Sequence, residues 1–297
     1  MRPELAHARL QVRLLAAAPL LVEGTQLGLG PRSRRLCELL GPLPPPPRLA
    51  VVGSRAAHRA YLDCLPAVLE LARSRGWSLV SGGALGIDGG AHQAALDRRV
   101  AQLAVLPCGR DQPYPSRHAA LFTAMLDAPE AGLLFAQPVG TSPTRAMFAS
   151  RNAIVVGLAS AVLVVEARSR SGTMGTGRLA LGRGVPLAAV SGSAGAGRLI
   201  AAGARGLPRP GGPTHRDLRA ALDTFLGAAL DPQRTIEEPT RPWPEALSDL
   251  RARLRAAGPR GLSIDACPDP EGTLSQLCEA ELLGLVTEAT PGRWVAL

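Results

Sequence analysis

Ser81–His92, SGGALGIDGGAH, follows the short apolar run Trp77–Val80 and carries five glycines among its twelve residues. Ala91, Ala94, Ala95 and Leu96 then recur at helical spacing. A buried strand, a glycine turn and a helix start make a ready anion site, because the first-turn N–H groups of a helix lack partners inside it. Upstream, Leu49–Arg55 (LAVVGSR) repeats the theme, with Gly-Ser-Arg closing an apolar strand. Two such strand ends side by side predict a cleft.

The same grammar runs on through the chain. Leu49–Val52, Ser78–Val80, Gln102–Leu106, Gly132–Phe135, Ala161–Glu166 and Pro186–Val190 read as short strands, apolar on both faces as in a buried parallel sheet. Helical patterns lie between them, near Tyr61–Arg73, Ile87–Asp97, Arg117–Leu126, Thr144–Leu158 and Gly175–Leu181. The alternation predicts an α/β fold with a doubly wound, mostly parallel sheet. Ahead of it, residues 1–47 read as a short helical region (Glu4–Ala18 and Arg32–Leu40) closed by GPLPPPP, a run that suits neither helix nor central strand. The α/β domain takes residues 48–207. Residues 208–242 read as a helix and a Pro-rich linker (Pro239–Pro244), with Thr214 and Asp217 spaced as a capping box. Residues 243–297 form a last small domain, with helices over Ser248–Ala257 and Thr273–Leu283 and a hairpin of Leu285–Thr287 with Gly292–Leu297.

All 33 basic residues are arginine. Their placement is uneven: seven Arg against three acids in 1–48, sixteen against eight in 49–207, and ten against thirteen in 208–297. The net charges of +4, +8 and −3 put the basic character in the front and centre, which suits a polyanion partner there. Five scattered cysteines without CxxC spacing argue for small buried hydrophobes in a reducing cytoplasm, with no metal site and no cofactor expected. No apolar run has the length of a membrane span, and Leu14–Val22, interrupted by Pro19, reads as a surface helix rather than a signal-peptide core.

Polar chemistry gathers at the predicted strand ends. Gly53, Ser54 and Arg55 close the first strand, Ser81, Gly82 and Gly83 the second, and Arg110 follows the third. The fifth leads into RSRSGTMGTG (Arg168–Gly177), whose Arg170, Ser171, Gly172, Thr173 and Thr176 have a phosphate-cradling composition. Asp88 and His92 share a helix face at i and i+4. They read as a structural pair at the cleft, Asp88 suiting the first-turn dipole with His92 as its hydrogen-bonding neighbour. Arg151 and Asn152, ahead of an apolar helix, have a place at the cleft mouth.

In this order, VVGSR, SGGALGIDGGAH, Tyr114-Pro115, F-x-x-RN (Phe148–Asn152), VVEA-x-x-R-SG (Val164–Gly172) and GAGRLIAAGA (Gly195–Ala204) closely resemble the DNA-processing protein A (DprA/Smf) family. The resemblance implies an extended Rossmann-like domain binding single-stranded DNA in a basic pocket, without catalysis. It further implies a homodimer and the loading of RecA recombinase onto incoming strands in natural transformation. The tail resembles the winged-helix module found at the carboxyl end of many members. Two arginines of the family pattern are replaced, at Leu85 and Ala153, so Leu85→Arg and Ala153→Arg are expected to restore phosphate contacts.

Two other function classes compete with this reading. Phosphoribohydrolases acting on nucleoside monophosphates share a related fold, but around Gly175-Thr176 both the PGG and the downstream carboxylate of their PGG-x-GT-x-x-E signature are missing. A degenerate scaffold would keep the fold without binding DNA.

Overall fold

The computed structural model describes residues 3–30, 33–211, 215–230, 247–257, 262–264, 267–282, 286–290 and 293–296. In chain order its main body contains α1 (Pro3–Ala16), β1 (Leu20–Glu23), β2 (Leu36–Leu40), β3 (Arg48–Gly53), α2 (Arg59–Asp63), α3 (Leu65–Ser74), β4 (Ser78–Ser81), α4 (Ile87–Arg98) and β5 (Gln102–Leu106). There follow α5 (Ala119–Asp127), β6 (Ala131–Phe135), α6 (Arg145–Leu158), β7 (Ala161–Glu166), α7 (Gly172–Gly182), β8 (Leu187–Val190), α8 (Ala194–Ala201), β9 (Arg205–Leu207) and α9 (Arg216–Ala229).

The strands form one nine-stranded sheet in the order β1-β2-β6-β5-β4-β3-β7-β8-β9. From β3 onward every pairing is parallel, while β1 and β2 add an antiparallel edge. Strands β4 to β7 are buried along their whole length, since helices cover both faces. On one face α6, α7 and α8 pack through Ile154, Val156, Leu179 and Leu199. On the other, α3, α4 and α9 pack through Val68, Leu69, Ala95 and Leu222. Leu10 and Leu14 of α1 join Phe122 and Met125 of α5 in a third cluster.

The edge corrects two expectations. Leu14–Val22 does not form one surface helix, since α1 ends at Ala16 and residues 20–22 lie in β1. Arg32–Leu40 does not form a helix; residues 36–40 are β2, paired antiparallel to β1 and to β6. A five-residue run such as LCELL fits either period, and the sheet decides by burying Cys37 and Leu39 on its core side. Residues 20–23 and 36–40 are therefore built into the sheet.

Helix α9 belongs to the main body. Leu218, Leu222 and Leu226 enter the same cluster as Leu49 and Leu163, and Asp223 receives a two-pronged bond from Arg75 (2.6 Å each). Thr214 of the expected capping box lies outside the described residues. The helix starts at Arg216, behind a left-handed His215 (φ 47°), with no side-chain cap. The Pro239–Pro244 linker also lies outside the described residues.

The last unit contains α10 (Ser248–Ala257), β10 (Leu262–Ser263), α11 (Pro270–Leu282), β11 (Val286–Thr290) and β12 (Arg293–Ala296), its sheet ordered β10-β12-β11. Leu250, Leu254, Leu277 and Trp294 form its core. The antiparallel β11–β12 pair is the expected hairpin, of which Leu285, Gly292 and Leu297 fall outside the described residues. Helix α11 lies against α6. Among the described residues no helix is long and apolar enough to cross a membrane.

What positions the site is the reversal at β3. The chain leaves β3 for β4, β5 and β6 on one side, then returns to β7 on the other. Strand β3 ends at Gly53, level with Glu166 at the end of β7. Adjacent loops diverge at such a switch point and leave a crevice beyond the strand ends.

Candidate functional site

The crevice is a cavity of about 450 Å³. Gly53, Ser54, Arg55, Asp88, Arg151, Asn152, Arg170, Ser171, Gly172, Thr173 and Thr176 line it, as do Phe148 and Arg168. The predicted residues at the ends of β3 and β7 and on α6 thus converge on one space.

Its floor is an anion cradle that the protein fills itself. The N–H groups of Gly53, Ala84 and Gly82 donate to the Asp88 carboxylate, which is buried in the first turn of α4. Arg151 Nη1 lies 3.9 Å from Asp88 Oδ2, both side chains almost wholly buried. Burial pushes the Asp88 carboxyl above the ordinary carboxylate range, opposed by Arg151 and the three backbone donors. Burial likewise lowers the Arg151 pKa, with Asp88 opposing. The Nε of Arg151 is buried with no hydrogen-bond partner among the described residues. A cation held against the wall with an unused donor is suited to an incoming anion.

The opposite wall is the start of α7. Ser171 occupies the N-cap position, but its hydroxyl donates back to the Arg168 carbonyl (3.0 Å), so no side chain caps the helix. Thr173 Oγ1 donates to the Gly53 carbonyl (3.0 Å), tying this turn to the end of β3. Gly172 adds no side chain, and a Cβ there would meet only open space. The first-turn donors and the positive end of the dipole therefore face a cavity also edged by Arg55, Arg168 and Arg170.

Arg55 is not free in the crevice. Its guanidinium stacks over the Phe148 ring, 4.6 Å from the centroid, and Phe148 meets Tyr114 edge-to-face at 5.6 Å. Phe148 joins the site beyond the residues expected from sequence, although F-x-x-RN signals it, while Arg168 enters from the head of the phosphate-cradling loop.

Four expected binding residues sit elsewhere. Ser81 donates to the Val51 carbonyl (2.6 Å) and joins β4 to β3. Gly82 lies beneath the Arg151 guanidinium, and its N–H serves Asp88 rather than a ligand. Gly83, at φ +65°, packs under Leu106 and accepts a bond from His118 Nδ1 (3.0 Å). Arg110 donates to the carbonyls of Leu14 and Leu15 (2.7 and 3.0 Å) at the end of α1 and pairs with Glu38 (3.1 Å). It pins the front edge of the sheet, the usual work of a cation at a helix carboxyl end. His92 is also corrected: it bonds Gln102 Oε1 (2.8 Å), not Asp88. Burial lowers its pKa to about 4.

An α/β sheet with a basic, uncapped-helix crevice at its switch point defines a class of Rossmann-like proteins with an anion site at the strand ends. Within that class, the chain matches the DNA recombination-mediator protein A family over residues 41–210 and belongs to it. The DNA processing protein DprA of Mycobacterium tuberculosis H37Rv is 37% identical over 261 residues, which cover 84% of this chain and 64% of that protein. Protein Smf of Escherichia coli K12 is 34% identical over 269 residues, covering 84% and 68%. This chain thus spans about two thirds of the length of these relatives. Among solved structures, DNA processing protein A of Helicobacter pylori, described for its single-stranded DNA binding mode, superposes with a TM-score of 0.60 at 22% identity. That alignment covers 71% of this chain and 96% of that one, a likeness of fold. The X-ray structure of DprA from Streptococcus pneumoniae gives 0.55 at 29% identity, covering 65% and 69%.

Proposed function

We propose that this protein binds single-stranded DNA through the crevice at the β3–β7 switch point, and that it serves recombination as a binding protein, not an enzyme. The observation that carries the reading is the buried, partly unpartnered Arg151 facing the uncapped start of α7 across a cavity edged by three more arginines. Backbone donors and guanidinium forks read phosphate and not base edges, so binding is sequence-tolerant. Among the described residues the aromatic contribution near the crevice is the Tyr114–Phe148 pair, and stacking adds little to affinity. Asp88, the carboxylate lining the crevice, is tied up by Arg151 and three N–H groups and is poorly placed to move protons.

Family membership extends the proposal. The protein acts in the cytoplasm as a homodimer that protects incoming strands and loads RecA recombinase onto them, with the last unit serving as a winged-helix module for contacts other than the single strand.

The test is a fluorescence-anisotropy titration of a labelled oligothymidine and of a duplex of equal length, each at two salt concentrations. The single strand should bind more tightly. Arg55→Ala should weaken it about five- to tenfold and lower the salt slope by about 0.7, the share of one phosphate contact. Equal affinity for both DNAs, or no effect of Arg55→Ala in a folded protein, would remove the crevice as the site.

A further inference from the structure

A second cavity, of about 500 Å³, opens next to the crevice, beyond the ends of β7 and β8. Arg168 lines both spaces. The far wall carries the exposed Arg209, just after β9, and the Gly192–Ser193 turn that leads into α8. We infer that this second cavity takes a further phosphate of a single strand whose preceding phosphate lies in the crevice, with Arg168 bridging the two subsites. The inference rests on the proposed single-strand binding at the crevice and extends it along the strand.

Three features of the cavity support this. Its acidic member is already engaged and almost wholly buried: Glu166 accepts the His58 N–H at one oxygen and the His58 ring at the other (3.0 and 2.5 Å). Arg168 and Arg209 are left as the charges that a ligand meets. The turn is also shaped for close approach. Gly192 has φ +105°, and a Cβ there would press on the Tyr61 hydroxyl and on Arg209 Cδ, so any side chain would fill the space. Tyr61 itself is held by its bond to the Ser191 carbonyl (3.0 Å), which fixes the wall. Lastly, the Ser193 hydroxyl is engaged by the Ala167 N–H (3.1 Å), so α8 begins without a side-chain cap, as α7 does. Neighbouring strands lie about 5 Å apart, so the two subsites are separated by one or two strand spacings, within reach of successive phosphates on a flexible single strand.

The experiment compares Arg209→Ala with Arg55→Ala on trithymidylate and on dodecathymidylate, at two salt concentrations. Arg209 is exposed, and thermal melting should confirm that its variant is folded. Arg55→Ala should weaken both oligomers. Arg209→Ala should leave the trimer unchanged and weaken the dodecamer three- to fivefold, with a salt slope lower by about 0.7. An unchanged dodecamer, or equal losses on both lengths, overturns the second subsite while the crevice stands. Competition by inorganic phosphate that is lost in Arg209→Ala without any length dependence would mark a free-anion site, and likewise overturns it. If neither variant affects either oligomer, the crevice reading falls and this extension falls with it.

Discussion

The Arg151 guanidinium lies directly over Gly82: a Cβ at Gly82 would overlap Nη1 and crowd Asp88 Oδ2. Glycine at the second strand end is therefore a spacing requirement for the buried ion pair, and not a means of admitting a ligand to the backbone. Gly82→Ala should displace Arg151 and cost about 1–3 kcal/mol in urea unfolding, the usual range for overpacking a close-packed site. It should also weaken single-strand binding about fivefold, since Arg151 leaves the wall. Unchanged stability together with unchanged affinity would refute this role.

The two arginines missing from the family pattern are not equivalent. Leu85 is half-buried in the loop before α4, where a longer charged side chain can reach solvent. Leu85→Arg should raise affinity and increase the salt slope by up to about 0.7. Ala153, by contrast, is 1% exposed and lies on the face of α6 that packs into the core. The expectation that Ala153→Arg restores a contact is thus overturned, because an arginine there overpacks the core and buries an unpaired charge at a cost of several kcal/mol. A sharply lowered melting temperature is the expected result. A stable Ala153→Arg protein with tighter DNA binding would show that α6 can turn that face outward.

His92 predicts an acid response. Its neutral ring is buried against Gln102, and burial brings its pKa from 6.5 to about 4. As pH falls below about 6.5 the unfolded chain takes up the proton and the folded one does not. The stability tied to neutral His92 is complete above that pH, declines between 6.5 and 4, and is lost by about 3 kcal/mol at the lower end. Urea midpoints measured across this window should fall, and should fall less in His92→Gln. Parallel curves for the two proteins would exclude His92 as the source.

Much of the fold was legible because parallel strands are short, apolar and punctuated by turns. The bounds expected for Gln102–Leu106 and Ala161–Glu166 are those of β5 and β7. The edge strands were not legible: Leu20–Glu23 and Arg205–Leu207 are too short to show a period, and Leu36–Leu40 takes its state from pairing with β6. At the site, residues at the ends of β3 and β7 were legible because sheet topology alone brings them together. Ser81–Gly83 misled because a glycine turn looks the same whether its N–H groups face a ligand or an internal carboxylate, here Asp88. Arg110 misled for a related reason: nothing local reveals that the carbonyls of Leu14 and Leu15, some 95 residues away, claim it.

Where the chain can be cut follows from α9. From sequence, everything after Leu207 is expected to be dispensable for binding DNA, on the strength of its acidic balance. The packing moves that boundary. Leu218, Leu222 and Leu226 are each buried to within 2% of full enclosure against the sheet, and Asp223 clamps Arg75. Removing three buried leucines forfeits about 5–9 kcal/mol at 1.5–3 kcal/mol each, comparable with the whole stability of a domain. A chain ending at Leu207 should therefore aggregate or fail to melt cooperatively. One ending at Leu230 keeps α9 and loses only the last unit, whose contact with the body runs through α11 on α6. Phe148, Arg151 and Asn152 reach the crevice from that same α6. The shorter protein should melt cooperatively and hold oligothymidine within tenfold of the full chain, or about 1.4 kcal/mol. A larger loss from a chain that still melts cooperatively would mean that α11 sets the position of α6, making the last unit part of the binding apparatus.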